Sequence, residues 1–388
     1  MEIVPPFNEV VEEIKEAGGD AFRHCFQCGL CDSVCPWNRV RQFSIRKIIR
    51  EATFGLTEID GENIWRCTTC GRCPQYCPRG VKQIEVGVSL RRVASDYEVF
   101  PSSVRSARTA RASLISEGNP LQVERGKRRD WAEGLNVRDF EEEMEVLFFV
   151  GCYLSFDPRM KNVARATVEI LNQAGVNFGI LGNEENCCGE SIRKIGSEQV
   201  FRDLAKENIK TFIDKGVKKI VVSSPHCFHT FKNEYPEFMV SFEVVHMSQY
   251  LAELVADGRL KLVNPCEQTI TYHDPCYLGR HNEVYEAPRE LLRNLPGTDL
   301  VEMADTGPQS LCCGGGGGRI WMDTPKEERF SDLRLEQAKA TGAKVLVTAC
   351  PYCITNFEES RLNLEYEKVL EIRDITEVIR DAVVPVVD

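Results

Sequence analysis

From about residue 145 onward the chain alternates between two hydrophobic periods. Short apolar runs of β type recur as EVLFFVG, FGIL, KKIVVSS, FEVVHM, QTITYHD, LVEM and KVLVTA. Between several of them apolar residues return at helical spacing, over 159–174, 197–215, 287–294, 326–341 and 352–362. Strand alternating with helix predicts βαβ units and parallel sheets. Functional groups in such sheets gather at the carboxyl ends of the strands. The first hundred residues lack this alternation. Within 43–56, FSIRKIIREATFGL, Ile45, Ile48, Ile49 and Phe54 fall on one face with Arg and Lys opposite, which predicts a helix capped by Ser44 and stopped by Gly55. Residues 101–140 are rich in Arg and Ser and predict a connecting arm with little core, carrying one helix near 104–117 and a solvated arginine face suited to an acidic partner.

The division that follows is a helical domain over 1–100, an arm over 101–143, and two α/β lobes over 144–262 and 263–388. A chain of 388 residues has room for these parts. Its formal net charge of -11 argues against non-specific nucleic-acid binding. No run of about 18 apolar residues is present, so no membrane-spanning helix is expected. The start, MEIVPPFNEVVEEIKEAGG, is acidic and has no apolar core of a secretory signal. A cytoplasmic protein is expected, with any membrane link supplied by a partner.

Cysteine changes the picture. There are 18, far more than an ordinary cytoplasmic chain needs, and the length argues against a secreted disulfide scaffold. Residues 25–36 read CFQCGLCDSVCP and residues 67–78 read CTTCGRCPQYCP. Each is C-x2-C-x2-C-x3-C-P, the doubled run that holds two [4Fe–4S] clusters with the fourth cysteine of each run crossing to the other cluster. One cubane cluster therefore takes Cys25, Cys28, Cys31 and Cys77, and the other takes Cys67, Cys70, Cys73 and Cys35. His24 reads as a neighbouring surface group, because the cysteines already fill both clusters.

The remaining cysteines follow the β-type runs and repeat. Cys276 lies 124 residues after Cys152, Cys312 lies 125 after Cys187, and Cys350 lies 126 after Ser224. Cys313 pairs in the same way with Cys188, and Cys353 with Cys227. A near-constant offset means a duplication and two similar lobes. The copies differ at one ligand position, where SSPHCFH has Ser224 and ACPYCI has Cys350. The second lobe thus offers Cys276, Cys312, Cys313, Cys350 and Cys353, one more than a cubane cluster or a zinc ion uses. Either one thiol is idle or a cluster takes a bridging thiolate, for which the adjacent Cys312 and Cys313 are suited. The glycine run from Gly314 through Gly315 and Gly316 to Gly318 removes side chains next to that pair and lets backbone approach a cluster. The first lobe retains Cys152, Cys187, Cys188 and Cys227, enough for a cubane cluster or zinc, with Ser224, His226 or His229 as further candidate ligands. His226 and His229 otherwise read as polar groups behind the ligands. His273, three residues before Cys276, is a candidate proton donor or a structural group at a strand end.

The arrangement C-x35-CCG-x35-C-P-x-C over Cys276–Cys353, nearly intact over Cys152–Cys227, resembles the duplicated CCG domain of heterodisulfide reductases. Behind a two-cluster ferredoxin module it is similar to the membrane-associated type of their catalytic subunit. It also resembles iron–sulfur oxidoreductases that serve flavoproteins and electron-transfer subunits of class II benzoyl-CoA reductase complexes. The resemblance covers nearly all of the chain except the arm. It implies an α/β fold with an N-terminal α-helical ferredoxin-like domain and two pseudo-duplicated parallel-sheet lobes. It implies a noncubane [4Fe–4S] cluster on the five second-lobe cysteines, and disulfide cleavage at cluster irons in the family. Two functions follow for this chain. One is an electron-transfer subunit passing charge between ferredoxin-type clusters and the noncubane cluster within a larger complex of anaerobic metabolism. The other is a reductase acting directly on a thiol/disulfide substrate. The expected partners are a flavoprotein subunit or a membrane cytochrome. Ser224 shifts weight to the relay, because two intact noncubane sites would be needed to take both sulfurs of one disulfide.

Overall fold

The computed structural model describes residues 6–56 and 58–383. The first five residues of the acidic start and the last five of the second lobe lie outside the described residues. The chain forms two compact units. One comprises Met1–Arg111, Ser191–Phe201 and Gly314–Phe330, and the other Ala112–Glu190, Arg202–Cys313 and Ser331–Asp388.

The second unit holds two parallel sheets. The first contains β1 (Arg138–Asp139), β2 (Val146–Phe149), β3 (Phe178–Ile180), β4 (Lys219–Val222) and β5 (Glu243–His246) in the order β1-β3-β2-β4-β5. The second contains β6 (Thr269–Tyr272), β7 (Asp299–Val301), β8 (Val345–Thr348) and β9 (Glu371–Asp374) in the order β7-β6-β8-β9. Every pairing is parallel. Strands β2 to β5 and β6 to β9 run in the same spatial order, so the repeat in the sequence is a repeat of architecture. The seven apolar runs all fall on strands. The two strands not foreseen, β1 and β9, read RD and EIRD and lie at sheet edges, where one side needs no apolar run.

In both sheets the chain steps from a central strand to one side and then crosses to the other. The switch point falls between β2 and β4, and again between β6 and β8. A parallel sheet opens a crevice at the carboxyl ends there. Helices cover the sheets. Helix Lys161–Gln173 buries Val163, Val168, Ile170 and Leu171, and it packs against helix Ile375–Val383 of the other lobe. Arg159 joins the same two lobes by a bidentate pair with Glu377, 2.6 and 2.7 Å.

The arm is less solvated than its composition implies. Val104, Ala107, Ala110, Leu114, Asn119 and Trp131 are buried. Arg128, expected on a solvated face, is also buried, because Glu185 supplies a carboxylate at 2.7 Å. A guanidinium accepts burial when its donors are met by a partner charge and carbonyls.

In the first unit, helix Ile45–Phe54 starts at Ser44, whose hydroxyl accepts from the Lys47 N–H at 3.0 Å, and ends at Gly55 with φ +66°. Burial of Ile45, Ile48 and Ile49 follows the apolar face of the sequence and Ala52 joins them, whereas Phe54, expected on that face, is exposed in the last turn of the helix. Helix Gln83–Asp96 carries the buried Arg91. Its guanidinium donates to the carbonyls of Ile64 (2.8 Å), Cys67 (2.7 Å), Lys194 (2.9 Å) and Gly317 (2.7 Å). One side chain thus ties three separate stretches to the second cysteine run. The glycines take part. A Cβ on Gly317 would lie 2.4 Å from the Cys67 carbonyl oxygen, and one on Gly196 2.2 Å from that of Arg91.

Arg91→Met removes four bonds from buried carbonyls, each worth about 1–3 kcal/mol when left unmet. The thermal unfolding midpoint is expected to fall clearly. Arg91→Lys is expected to recover little, because one ammonium cannot span the same fork. A wild-type midpoint for Arg91→Met would show that the clamp carries no stability.

Candidate metal centres

The two cysteine runs fold alike. Gln27 and Thr69, the second spacer residues of the leading C-x2-C, both take positive φ, +65° and +49°. Gly29 and Gly71, next after Cys28 and Cys70, do the same at +83° and +79°. The left-handed residues curl each run so that its thiols face inward. Short helices, Leu30–Val34 and Arg72–Gln75, then carry the third cysteine of each run.

The structure brings the cysteines together in the crossed pattern. Cys25, Cys28, Cys31 and Cys77 line one cavity, with Phe26, Ile49 and Arg79. Cys35, Cys67, Cys70 and Cys73 line another, with Trp37, Phe43 and Ile84. Backbone N–H groups already aim at sulfur. Val81 donates to Cys77 at 3.2 Å and Thr69 to Cys67 at 3.4 Å. Burial, then the charge of Asp32, pushes the Cys31 thiol up to about 12. Burial and the neighbouring Cys70 also raise Cys35. Thiols packed this way resist ionising together unless a cation is present, so the donor set suits a cluster of irons.

In the first lobe, Cys152 opens a short helix after β2, Cys187 and Cys188 follow β3, and Cys227 follows β4. All four are buried. Their thiols are close enough to raise one another's pKa, Cys152 beside Cys187 and Cys188 beside Cys227. Arg128 points its guanidinium at Cys152 Sγ, 3.5 Å away, and also donates to Glu185 and to the Gly118 carbonyl. Glu185 accepts from the Val150 and Gly151 N–H groups at 2.9 Å each, which fixes the turn before Cys152. Nothing in the composition separated Arg128 from the other arginines of the arm. The signal for its partner was a glutamate two residues before the cysteine pair.

In the second lobe, Cys276 follows β6, Cys312 and Cys313 follow β7, and Cys350 and Cys353 follow β8. All five are buried and converge. Cys276 lies beside Cys312, Cys350 beside Cys353, and the Cys353 and Cys313 sulfurs lie 3.2 Å apart. Gly314 continues directly from Cys313 with φ +97°, a conformation few other residues adopt; Gly315 and Gly316 follow it in sequence. His273 is fully buried. Its Nδ1 accepts from Arg334 Nε at 3.0 Å, which leaves Nε2 to face Cys353 Sγ at 3.4 Å. Burial and then the Arg334 charge hold it well below the usual imidazole range, so it stays neutral. The ring atoms of His273 and the sulfurs of Cys313 and Cys353 lie within 4.8 Å of one another.

Ser224 and Cys350 occupy the same structural position. Each is the N-cap of a helix that begins with proline, Pro225–His229 and Pro351–Asn363. His229 lies away from the first-lobe thiols and pairs with Glu234 at 3.8 Å. His226 turns to the second lobe. It lies between Tyr277 (4.2 Å) and Tyr352 (4.3 Å) and faces Glu190 at 3.3 Å. Burial raises the Cys350 pKa, but the neighbouring Cys353 and His226 outweigh it and lower the thiol to about 5. Tyr153 meets Tyr352 edge-to-face at 4.9 Å, so four rings, each beside a cysteine in sequence, pack together between the lobes. That group was legible only as four aromatic residues at the duplicated offset. The eighteenth cysteine, Cys266, lies in a loop before β6, away from these sets.

Among the described residues no helix is long and apolar enough to cross a membrane. Residues 21–81 match the 4Fe-4S dicluster domain, and residues 146–232 and 270–358 match the cysteine-rich CCG domain. The matched segments contain the crossed tetrads and the cysteine sets of both lobes. The chain is 40% identical to a probable iron-sulfur-binding oxidoreductase, FadF, of Bacillus subtilis over 84% of its own length and 47% of that protein's. It is 36% identical to an EtfAB:quinone oxidoreductase of Syntrophomonas wolfei over 83% of its length and 46% of that protein's. The chain thus spans about half the length of these relatives. Against a subunit of the dihydromethanophenazine:CoB--CoM heterodisulfide reductase of Methanosarcina mazei the identity is 31%, over 92% of this chain and 93% of the relative. With both domain types in order and nearly the whole of that relative covered, the chain belongs to the heterodisulfide reductase family of iron–sulfur oxidoreductases.

Proposed function

We propose that the chain is an electron-transfer oxidoreductase subunit of heterodisulfide reductase type. The observation that carries this reading is the convergence of four separate cysteine sets, two crossed tetrads in the first unit and one set at the strand ends of each lobe. Cys25, Cys28, Cys31 and Cys77 hold one cubane [4Fe–4S] cluster, and Cys67, Cys70, Cys73 and Cys35 hold the other. Cys276, Cys312, Cys313, Cys350 and Cys353 hold a noncubane [4Fe–4S] cluster. Cys152, Cys187, Cys188 and Cys227 hold a further cluster or a zinc ion. The clusters supply one-electron steps, and the chain's part is to hold thiolates, exclude water and set potentials. The protein works in the cytoplasm, with a flavoprotein or a membrane cytochrome as redox partner. Functionally the chain divides at about residues 100, 143 and 262.

Direct reduction of a disulfide at the second-lobe cluster is the second reading. The full five-cysteine set there favours it, while Ser224 in the first lobe favours relay. Turnover of a disulfide by the isolated, loaded chain with a chemical reductant separates them, since a relay has no site for that step.

Iron analysis of anaerobically reconstituted protein is expected to give about 12 atoms, four per cluster, or about 16 with the first lobe filled. About eight would remove the second-lobe cluster, and one zinc per chain would assign the first lobe. Cys35→Ser is expected to damage the cluster of Cys67, Cys70 and Cys73 and to spare that of Cys25, as read by electron paramagnetic resonance. Loss of the Cys25 signal alone would mean that each run is self-contained. Cys350→Ser is expected to abolish the second-lobe signal with both cubane signals intact, and Ser224→Cys to add a second signal of that kind. An unchanged spectrum for Cys350→Ser would make the fifth cysteine idle.

A further inference from the structure

The two lobes differ behind the thiols as well as among them. By the offset of 124 residues that joins Cys152 to Cys276, His273 stands where the first lobe has Phe149. Phe149 lies among rings, edge-on to Phe212 at 6.2 Å and to Phe231 at 4.7 Å. His273 is equally buried and meets Phe357 edge-on at 4.8 Å. An imidazole in such a place needs a partner for each nitrogen. It has both. Nδ1 lies 3.0 Å from Arg334 Nε, and Nε2 lies 3.4 Å from Cys353 Sγ.

The first contact decides the second. A guanidinium only donates, so Nδ1 carries a lone pair and the single proton of the neutral ring sits on Nε2. Nε2 therefore donates to the Cys353 sulfur. Arg334 is held in place for this. It is fully buried, and its other nitrogens donate to the Asp305 carbonyl (2.7 Å), Gln337 Oε1 (2.7 Å) and Ser310 Oγ (3.2 Å). The backbone of His273 is fixed as well. Its N–H donates to the Val347 carbonyl at 2.9 Å, and its carbonyl accepts from Thr348 Oγ1 at 3.3 Å. Two other roles are closed to the ring. A protonated Nε2 has no lone pair with which to bind a metal, although Cys313 and Cys353 stand within reach. A neutral imidazole yields that proton only by becoming an anion, so His273 does not deliver protons.

We propose that His273 is a positioning residue of the second-lobe centre, locked by Arg334 into the tautomer that donates a hydrogen bond to Cys353 Sγ. This rests on the reading that the five second-lobe cysteines bind a cluster. A hydrogen bond to a ligating sulfur withdraws electron density from the cluster and raises its potential. The first lobe meets a sulfur differently, with the Arg128 guanidinium itself 3.5 Å from Cys152 Sγ. The second lobe sets an imidazole between cation and sulfur, so its centre receives one directed N–H.

The test uses the full chain, anaerobically reconstituted, with iron content, the paramagnetic spectrum and the midpoint potential of each centre measured together. Two substitutions separate the two nitrogens. His273→Asn keeps a carbonyl near Nδ1 to accept from Arg334 and offers no donor at Nε2. His273→Gln carries an amide N–H to the place of Nε2. The first is expected to lower the second-lobe midpoint and to remove one exchangeable-proton coupling from its spectrum, with iron content and both cubane midpoints unchanged. The second is expected to return both most of the way, which a role confined to satisfying Arg334 would not produce. A wild-type midpoint in His273→Asn, or one in His273→Gln as low as in His273→Asn, would overturn the proposal while leaving the cluster in place. Strong nitrogen coupling in the wild-type spectrum, the mark of a directly bound imidazole, would overturn it too. If His273→Asn loses second-lobe iron, Arg334→Met, which touches no sulfur, carries the same expectation, and a wild-type midpoint there would overturn the proposal. A wild-type chain with no second-lobe iron or signal would instead overturn the underlying reading, and the proposal with it.

Discussion

Sulfur atoms brought together out of water repel one another once ionised, and that constraint organises this molecule. Burial disfavours the thiolate, and a neighbouring thiolate disfavours it further, as the raised Cys35 and Cys73 show. A cationic cluster reverses the balance by taking up the charge of four or five thiolates at once. The chain's task is then geometric. It must deliver thiols from distant positions to one point and hold them there against repulsion. Two solutions coexist. In the first unit, paired left-handed residues curl each C-x2-C and a fourth cysteine crosses from the other run. In the second unit, the carboxyl ends of three parallel strands converge on their own, because the switch point of the sheet leaves a crevice there.

The supports around the thiols are cationic groups or donors that are themselves well anchored. Arg128 stands behind Cys152, and Arg334 stands behind His273 and so behind Cys353. Both are buried, and each is fixed by a second partner, Glu185 and the Asp305 carbonyl in turn. A donor held this firmly costs no reorganisation when the charge on a sulfur changes. The two lobes reach this arrangement with different residues. Glu185 fixes the turn before Cys152 by accepting two backbone N–H groups, while at the matching place Ser310 bonds the Asp274 carbonyl. The duplication has kept the fold and the thiols, and it has let the surroundings of the thiols diverge.

The rings between the lobes join the two copies. Tyr153, Tyr352, His226 and Tyr277 are neighbours of cysteines in both lobes and pack against one another. The two cysteine sets are therefore parts of one packed assembly, and a change in one lobe is felt in the other through side chains with no freedom to turn.

The sequence by itself carried the cysteine spacing and the architecture. The doubled C-x2-C-x2-C-x3-C run pointed to two crossed sets of cysteines, and each set lines one cavity of the first unit. The alternation of periods announced the two parallel sheets, because buried strands and amphipathic helices differ in repeat. Ser44 and Gly55 marked a helix correctly, because caps act within one turn. Only the tertiary structure decided what lies behind the thiols. Arg128 looked like any solvated arginine, and its burial depends on Glu185, 57 residues away. The glycines after Cys313 read as a cradle for a cluster, and the structure adds that Gly317 admits the Cys67 carbonyl. The edge strands β1 and β9 carry no apolar signal, because an edge needs none. His226 looked like a companion of Cys227, one residue away, and its ring packs between Tyr277 and Tyr352 of the second lobe. Ligands are set by local spacing, which a sequence carries, whereas their partners are set by which distant surfaces meet, which the packing of the lobes decides.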